Sequence, residues 1–387
     1  MNSFDTPLIS IGLPVYNEAQ WIRRAVESWL SQDYPNFEII IADNASTDGT
    51  ADICQEYVAR DSRVHLIKNP SDIGPIRNHR LVFDLSRGKY FTWAGGHDHV
   101  HSSFLRKTLD VLQNNPSVVM CSLRSEFRGE NDVVWRTTKG GFDSRGQPPS
   151  ERFARLLEHL VSGATANFMY GLYCRNILST LINNQKKTIG SDVIMLSNLV
   201  LLGDVVQLDD ILYYRYVPEK RDNTARVKRH IDQFIGGEKF QVNVLMPYLG
   251  MLFGYLSVIE EHSDSIENKQ LMYDAVFKEA QRLDAILKNE FTGFLQMAWQ
   301  ELDSLKNYRQ IQHYRVLRIL EGLEHARIFG FVSKDSIRLM KFCRNRLDGI
   351  PVNESATPSQ SLWNRIHGKF SELCLRIRNL KYNEEEI

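Results

Sequence analysis

The stretch LISIGLPVYNEAQWIRRAVESWLSQDYPNFEIIIADNASTDGT, Leu8–Thr50, contains two short apolar runs on either side of an amphipathic helical pattern. The runs Leu8–Leu13 and Phe37–Ala42 have the length and composition of buried strands. Each of them ends in a polar, turn-rich segment. Between the runs, apolar residues recur on one face of a predicted helix, at Ile22, Ala25, Val26, Trp29 and Leu30. A strand, a helix and a second strand in this order predict a βαβ unit and a parallel sheet.

The same alternation continues along the chain, with a strand at Val64–Lys68, a helix at Ile76–Leu85 and a strand at Tyr90–Ala94. The polar segments PVYNE, DNASTDGT and GGHDHVH follow the first, second and fourth strands. In open α/β sheets the ligand lies beyond the carboxyl ends of the strands. We therefore expect these three segments to converge on one site.

The composition is that of a globular protein without a global electrostatic field. Among 387 residues, Lys plus Arg equals Asp plus Glu at 47 each, so nothing indicates a nucleic-acid partner. Five scattered cysteines without a CxxC pair and a start without a signal peptide predict a cytoplasmic protein. The uncharged segment Val242–Ile259 is interpreted as a buried helix or subunit interface, with membrane insertion as the alternative.

Strand signals end near Arg229, and long amphipathic patterns follow. We predict three parts: an α/β domain at 1–228, a helical domain at 229–350, and a linker with a basic amphipathic helix at 351–387. That last helix carries Trp363 and either contacts the inner face of a membrane peripherally or docks on protein. The helical domain is also the expected contact between copies of the chain.

The N-terminal segment resembles the family 2 glycosyltransferases of the GT-A fold. Matches occur in order over residues 6–216 and are densest up to about residue 105. They comprise PVYNE at Pro14–Glu18, ADNASTDGT at Ala42–Thr50, NPSDIGPIRNHRL at Asn69–Leu81 and SRGKYFTWAGGHDHVHSSFL at Ser86–Leu105. The resemblance implies a GT-A fold, which is a Rossmann-like, nucleotide-sugar-binding mixed sheet flanked by helices. A helical C-terminal domain would follow it.

The resemblance also implies a nucleotide-sugar donor, with a UDP-linked sugar as the expectation. Asp43 would accept a hydrogen bond from uracil N3–H, and the PVYNE turn would line the nucleoside pocket. Arg77, in the family's RN pair, would reach the diphosphate. The full set of expected donor-side residues is Pro14, Tyr16, Glu18, Asp43, Asn44, Arg77 and His97.

The family holds a divalent cation, Mn²⁺ or Mg²⁺, with an Asp-x-Asp motif, and this chain departs from that motif. Gly96 stands at the first Asp, His97 in the middle and Asp98 at the second. Asp98 is the expected metal ligand, with help from His99. Two alternatives remain: a zinc site built from the histidines at 97, 99 and 101, and a site that binds without metal.

An inverting transfer needs a base for the acceptor hydroxyl. The resemblance assigns this role to Asp192, whereas a favourable position at a helix start is its structural alternative. Asp209 and Asp210 are weaker candidates. On the acceptor side we expect Tyr170 and Tyr173 to stack on a sugar. The resemblance also implies that His230 reaches back to the phosphates of the donor.

The sequence therefore predicts an inverting hexosyl- or N-acetylhexosaminyltransferase. It would act on a saccharide or lipid-linked acceptor in surface polysaccharide or glycolipid assembly. The alternative is a noncatalytic nucleotide-sugar-binding or assembly protein with a degenerate metal motif. No QxxRW motif is present, which argues against a processive synthase.

Overall fold

A computed structural model describes residues 7–129, 132–160, 168–182, 190–217, 247–262 and 266–304, with a few positions between 319 and 343. The predictions for His230 and for the segment 351–387 lie outside these residues. Residue contacts divide the chain into two compact units, Met1–Gly237 with Gly254–Arg282, and Glu238–Phe253 with Leu283–Ile387. The three-part division of the chain stays a prediction.

Within the described residues, nine strands form one mixed sheet in the order β3-β2-β1-β4-β8-β6-β9-β5, with β7 paired to β6. The neighbours β3, β2, β1 and β4 run parallel, β6 and β9 are also parallel, and the remaining pairs are antiparallel. The strands are β1 Ile9–Val15, β2 Phe37–Asp43, β3 Val64–Lys68, β4 Tyr90–Trp93, β5 His99–Val100, β6 Val118–Arg128, β7 Val134–Thr137, β8 Leu172–Cys174 and β9 Asp204–Tyr216.

Helices follow or connect the strands and continue beyond the sheet. A 3₁₀ turn at Phe168–Tyr170 precedes β8. The helices are α1 Ile22–Leu30, α2 Thr50–Arg60, α3 Pro75–Asp84, α4 Phe104–Asn114, α5 Pro149–His159, α6 Arg175–Ile182, α7 Ser191–Leu202, α8 Pro247–Glu261, α9 Lys269–Arg282 and α10 Asp284–Ser304. The mixed sheet with flanking helices and the helical C-terminal region are thus confirmed.

The first four predicted strands are present with ends that differ by at most two residues. Three of them, β1, β2 and β4, are almost entirely buried, and a continuous apolar run marks a strand that is buried on both faces. Three elements differ more. A strand is also predicted near Val118–Leu123, and the corresponding β6 extends five residues further, to Arg128, whereas the short strands β5 and β7 are not predicted. Apart from the buried Val100, the residues of β5 and β7 are polar or exposed, so no apolar run marks these two strands.

The sheet and its helices pack closely around β1. Trp29 of α1 contacts Phe104 of α4 edge to face, with ring centroids 5.3 Å apart. A Cβ atom on Gly12 would lie 2.7 Å from both Phe91 Cζ and Val82 Cγ2. Only glycine therefore allows α3 and β4 to approach β1 as they do, since a contact this short forces the packing apart.

The buried carboxylate of Glu38 connects β2 to β1 and to the segment before β4 through hydrogen bonds. Glu38 accepts hydrogen bonds from Ser10 Oγ (2.6 Å), Arg87 N (2.9 Å) and Arg87 Nη2 (2.6 Å). Burial alone would raise the pKa of Glu38, but the hydrogen bonds from Ser10 and Arg87 outweigh it and lower the pKa below its ordinary value. The ionised carboxylate is therefore part of the folded structure.

The uncharged segment that ends at Ile259 is largely helical in α8, and its residues Leu252 and Leu256 are fully buried. Gly254 lies against Ile194 of α7. Among the described helices, none combines the length and the apolar character that a membrane crossing requires.

We predict that Glu38→Gln lowers the free energy of unfolding by about 2 kcal/mol at neutral pH, because a neutral amide replaces a buried, charged hydrogen-bond acceptor. Urea denaturation measures this loss. The pKa of Glu38 is lowered in the folded state, so its ionisation stabilises the fold above the unfolded-state pKa. The difference between the two proteins should therefore shrink as the pH falls below about 4.

The matched control is Glu56→Gln, which removes the exposed ion pair between Glu56 and Arg23. Exposed ion pairs contribute little to stability, so this loss should be much the smaller of the two. Equal losses in the two variants would contradict the assignment of Glu38 as a structural carboxylate.

Candidate active site

The carboxyl ends of β1, β2 and β4 lie side by side at one edge of the sheet. Val15 is in register with Asp43 across the β1–β2 pair, and Gly12 with Trp93 across the β1–β4 pair. Just beyond the strands, Asn44 N donates to Val15 O at 2.9 Å and Ala94 N donates to Gly12 O at 2.8 Å. The segments that follow all three strands therefore begin at the same edge.

The turn after β1 is held by the segment after β2. Asn17 adopts a positive φ of 54°, which asparagine tolerates better than most residues. Its N–H donates to Ser46 Oγ at 2.9 Å, and its Oδ1 accepts from Thr47 N at 2.9 Å. Glu18 N donates to Thr50 Oγ1 at 2.8 Å. These bonds position Pro14, Tyr16 and Glu18 as one rigid turn.

Asp48 belongs to the same connection. Its Oδ2 accepts from Ala19 N at 3.0 Å, and its Oδ1 accepts from Thr50 N at 3.0 Å. Both oxygens of the Asp48 carboxylate therefore accept hydrogen bonds within the protein, one from the start of α2 and one from the turn after β1.

Asp43, at the end of β2, has one carboxylate oxygen in use and one without a partner. Oδ2 accepts a hydrogen bond from Ser46 N at 3.1 Å. Oδ1 is buried and accepts no hydrogen bond from any described residue, and the residue is only 3% exposed. A buried acceptor without a donor costs about 1–3 kcal/mol. A ligand N–H that reached this oxygen would remove that cost.

Asn44 and Asn78 form the wall next to Asp43. Asn44 Nδ2 donates to Asp72 Oδ1, and its Oδ1 accepts from Ile73 N at 2.9 Å. Asn78 Nδ2 donates to Ala42 O at 2.8 Å. The amide of Asn44 is thus committed to the loop before α3.

Arg77 follows that loop in the first turn of α3. Its side chain is exposed and makes no hydrogen bond or ion pair with a described residue. Arg77 is therefore available to a ligand at this edge of the sheet.

Asp98 is anchored inside the protein rather than exposed. It is 2% exposed, its Oδ2 accepts from the Tyr213 hydroxyl at 3.1 Å, and its Oδ1 accepts from Tyr216 N at 3.1 Å. Arg215 Nε lies 3.7 Å from Oδ2. All three partners belong to β9, so Asp98 joins the loop after β4 to that strand.

His97 connects the same loop to the turn after β1. Its Nδ1 donates to Glu18 Oε1 at 2.9 Å, and its Nε2 lies 3.7 Å from Asp98 Oδ1. Burial alone would lower the pKa of His97, but the negative charges of Asp98 and Glu18 raise it above its ordinary value. The imidazole is therefore favoured as a cation between two carboxylates.

Gly96 is required by this arrangement. A Cβ atom at this position would lie 2.9 Å from Glu18 Cγ and 3.0 Å from Val15 Cγ1. The side chain of Glu18 thus takes the space beside position 96, where the family motif has its first aspartate.

The prediction that His99 helps to bind a metal is corrected by its contacts. The ring stacks on Tyr214 with centroids 4.8 Å apart, and Nε2 accepts from Arg24 Nη2 at 2.8 Å. Burial and the positive charge of Arg24 lower the pKa of His99 to about 4. His101 is engaged separately, with its Nδ1 at 2.9 Å from Ser103 Oγ. The alternating histidines therefore do not form a zinc site.

A divalent cation of the Mn²⁺ or Mg²⁺ type needs several exposed oxygen ligands. Asp98 is buried and hydrogen-bonded, with the guanidinium of Arg215 next to it, and position 96 carries no side chain. Within the described part of the chain, no group of three or more His, Cys, Asp or Glu residues is arranged to hold a metal ion. The residues present do not fit the cation that the family motif implies.

Asp192 is the second residue of α7, which begins at Ser191 directly after Gly190, the N-cap with a φ of 77°. Burial raises the pKa of Asp192 above its ordinary value, against the opposing effects of the backbone N–H groups at the helix start and of Arg215. A carboxylate with a raised pKa suits proton abstraction near neutral pH. Arg215 interacts with both Asp192 and Asp98 and thereby connects two parts of the predicted site.

The two tyrosines that we expected on the acceptor side differ. Tyr170 is half-buried, stacks on Tyr213 at 5.0 Å and lies 5.2 Å from the Arg215 guanidinium. Tyr173 is 0% exposed, and its hydroxyl donates to Met169 O at 3.0 Å. The expectation for Tyr173 is therefore corrected, because a ring enclosed in the core cannot stack on a sugar.

Sequence reasoning missed Arg215 and Tyr213. Both lie on β9, in a run that reads only as an extended strand. Asp210, a weaker base candidate, pairs with Lys107. The alternation of ILYYRY could have shown that Tyr213 and Arg215 share one face of the strand, but not which side chains they meet.

Residues 10–181 match the family model described as Glycosyl transferase family 2. An uncharacterized glycosyltransferase of Haemophilus influenzae is 33% identical over 113 residues, which are 29% of this chain and 45% of that protein. TuaG of Bacillus subtilis, a glycosyltransferase assigned to teichuronic acid biosynthesis, is 33% identical over 106 residues, 27% of this chain and 42% of that protein. The matched region spans less than half the length of both relatives.

The fold is similar to that of S. aureus TarS (fragment 1-349), whose crystal structure contains UDP-GlcNAc. The TM-score is 0.54 at 13% identity, covering 88% of this chain and 91% of that one. At this identity the likeness concerns the fold. The ordered motifs, the mixed sheet and the family match agree, and residues 10–181 of this chain are similar to glycosyl transferase family 2.

Proposed function

We propose that this protein is an inverting glycosyltransferase that transfers a hexose or N-acetylhexosamine from a UDP-linked donor to a saccharide or lipid-linked acceptor. One observation carries the proposal. Arg215 lies 3.7 Å from Asp98 in the loop after β4 and interacts with Asp192 at the start of α7. The loop after β4 and the expected base thus lie near the same arginine, although they are far apart in the sequence.

The donor side of the proposal is supported by Asp43. Uracil offers an N3–H donor to the buried Oδ1, which no described residue satisfies. The turn at Pro14, Tyr16 and Glu18 begins at the same edge of the sheet and would adjoin the nucleoside, and the exposed Arg77 in the first turn of α3 is available to the nucleotide. Asn44 contributes indirectly by holding the loop before α3.

The acceptor side is supported by Asp192 and Tyr170. In the proposed reaction Asp192 takes the proton of the acceptor hydroxyl, whose oxygen attacks the anomeric carbon on the face opposite the diphosphate. The bond from that carbon to the phosphate oxygen breaks, and its electron pair leaves with UDP. One bond forms as the other breaks, so the anomeric configuration inverts.

Surface polysaccharide or glycolipid assembly is the proposed setting, and the name of the relative TuaG is its support. A noncatalytic nucleotide-sugar-binding role is the second candidate, favoured by Gly96 at the position of the first motif aspartate. The two candidates differ at Asp192, since a binding protein has no use for a base.

We predict that the protein binds UDP much more tightly than CDP, because cytosine presents an N3 acceptor, not a donor, to the Asp43 carboxylate. The preference for UDP should be roughly tenfold or more, because cytosine N3 and the Asp43 carboxylate are both acceptors and cannot form a hydrogen bond with each other. In Asp43→Asn the preference should shrink, since an amide can donate to cytosine N3. Calorimetric titration of both nucleotides measures the ratio.

Asp52→Asn, an exposed change in the first turn of α2, is the matched control and should keep the wild-type preference. Equal affinity of the wild-type protein for UDP and CDP would remove the role assigned to Asp43.

We predict that Asp192→Asn lowers the rate of transfer, or of donor hydrolysis with water as acceptor, by about 10²–10⁴-fold. UDP affinity should stay nearly unchanged, because the residue acts on the acceptor. The raised pKa of Asp192 should also put the acidic limb of the wild-type pH–rate profile above the ordinary aspartate range, since the base works only when ionised.

UDP release from a panel of UDP-sugars provides the readout. The control is Asp84→Asn, which removes an exposed ion pair with Arg80. If no UDP-sugar is turned over by the wild-type protein while UDP binds, the noncatalytic candidate replaces the enzyme.

A further inference from the structure

The departing diphosphate carries negative charge that the protein has to meet. In many phosphoryl and glycosyl transfers a metal ion or arginine supplies the compensating positive charge. The carboxylates of Glu18 and Asp98, on either side of His97, make an uncompensated diphosphate still less favourable there. A fixed cation at this edge of the sheet would offset that charge.

The contacts of the loop after β4 do not suit it to hold a divalent ion. Each oxygen of Asp98 already accepts a hydrogen bond from β9. A cation at Asp98 would also lie next to the guanidinium of Arg215, 3.7 Å from the carboxylate. Like charges at that separation repel strongly in a buried setting.

Arg215 has the charge, the fixed position and the exposure that are needed to compensate the diphosphate. Its guanidinium lies 5.2 Å from the centre of the Tyr170 ring and 5.5 Å from that of Phe127. These rings and Asp98 fix its position before any ligand arrives, and 16% of the side chain remains exposed. A guanidinium presents a planar set of N–H donors that matches phosphate oxygens.

We propose that Arg215 supplies the positive charge for the donor diphosphate and that nucleotide binding needs no divalent cation. The proposal rests on the nucleotide-sugar function proposed above. Asp98 then acts as a positioning residue, because its carboxylate holds Arg215 and the loop after β4 in register with β9. His97, bound to Glu18 and facing Asp98, closes the loop on the other side.

The test compares uridine and UDP binding by calorimetry in EDTA and in Mn²⁺. Wild-type protein should bind UDP with dissociation constants within about threefold of each other in the two conditions, a difference below about 1 kcal/mol. Arg215→Gln should weaken UDP by roughly tenfold or more while leaving uridine unchanged, because only the diphosphate contacts the guanidinium. Arg215→Lys should retain part of the UDP affinity.

The control is Arg136→Gln, which removes the other arginine near Phe127, with its guanidinium 5.4 Å from that ring. It should bind both ligands like the wild-type protein. Because Arg215→Gln leaves Asp98 without its ion pair, the double variant Arg215→Gln with Asp98→Asn restores neutrality and should show the same selective loss of UDP affinity.

The outcomes separate the two proposals. UDP binding that appears only with Mn²⁺ overturns the metal-free site but keeps the nucleotide-binding function. Failure of uridine and UDP to bind in both conditions overturns the function and this inference with it. An equal loss of uridine and UDP in the double variant overturns the role of Arg215 in contacting the diphosphate.

Discussion

The parallel pairing of β1 with β2 on one side and β4 on the other is the constraint on which the site depends. It brings three strand ends to one edge, with Val15 beside Asp43 and Gly12 beside Trp93. The polar segments that follow these strands form hydrogen bonds with one another. The contact of Glu18 with His97 joins the first and the third of these segments.

The altered metal motif is consistent with its surroundings. Position 96 has no room for a side chain because Glu18 occupies the adjoining space. Glu18 in turn accepts a hydrogen bond from His97. Asp98 is turned toward β9 and accepts from Tyr213 and Tyr216. The loop thus has internal hydrogen bonds in place of exposed carboxylates, and Arg215 is the proposed source of positive charge for the diphosphate.

Local features of the site could be predicted from the sequence. The turn at Pro14–Glu18 and the carboxylate of Asp43 follow directly from apolar runs that end in polar segments, so their positions at the sheet edge are confirmed. Their roles in binding stay predictions. Asp192 was likewise placed at a helix start, which a Gly-Ser-Asp sequence before an apolar run indicates.

Contacts between distant segments could not be predicted in the same way. Periodicity does not distinguish Tyr170 from Tyr173, because Tyr173 is enclosed by the pairing of β8 with β4 and β6, whereas Tyr170 lies in the 3₁₀ turn before β8. The histidine spacing predicts one common face, but Tyr214 and Arg24 decide where His99 points. Arg215 is identified only once β9 lies beside the loop that carries Asp98.

The most direct measurement is a crystal structure of the protein grown with a UDP-sugar. We expect uracil density with N3 facing Asp43 Oδ1, the diphosphate against Arg215, and the anomeric carbon on the side of Asp192. Nucleotide density away from the ends of β1, β2 and β4, or a uracil ring turned away from Asp43, would contradict it.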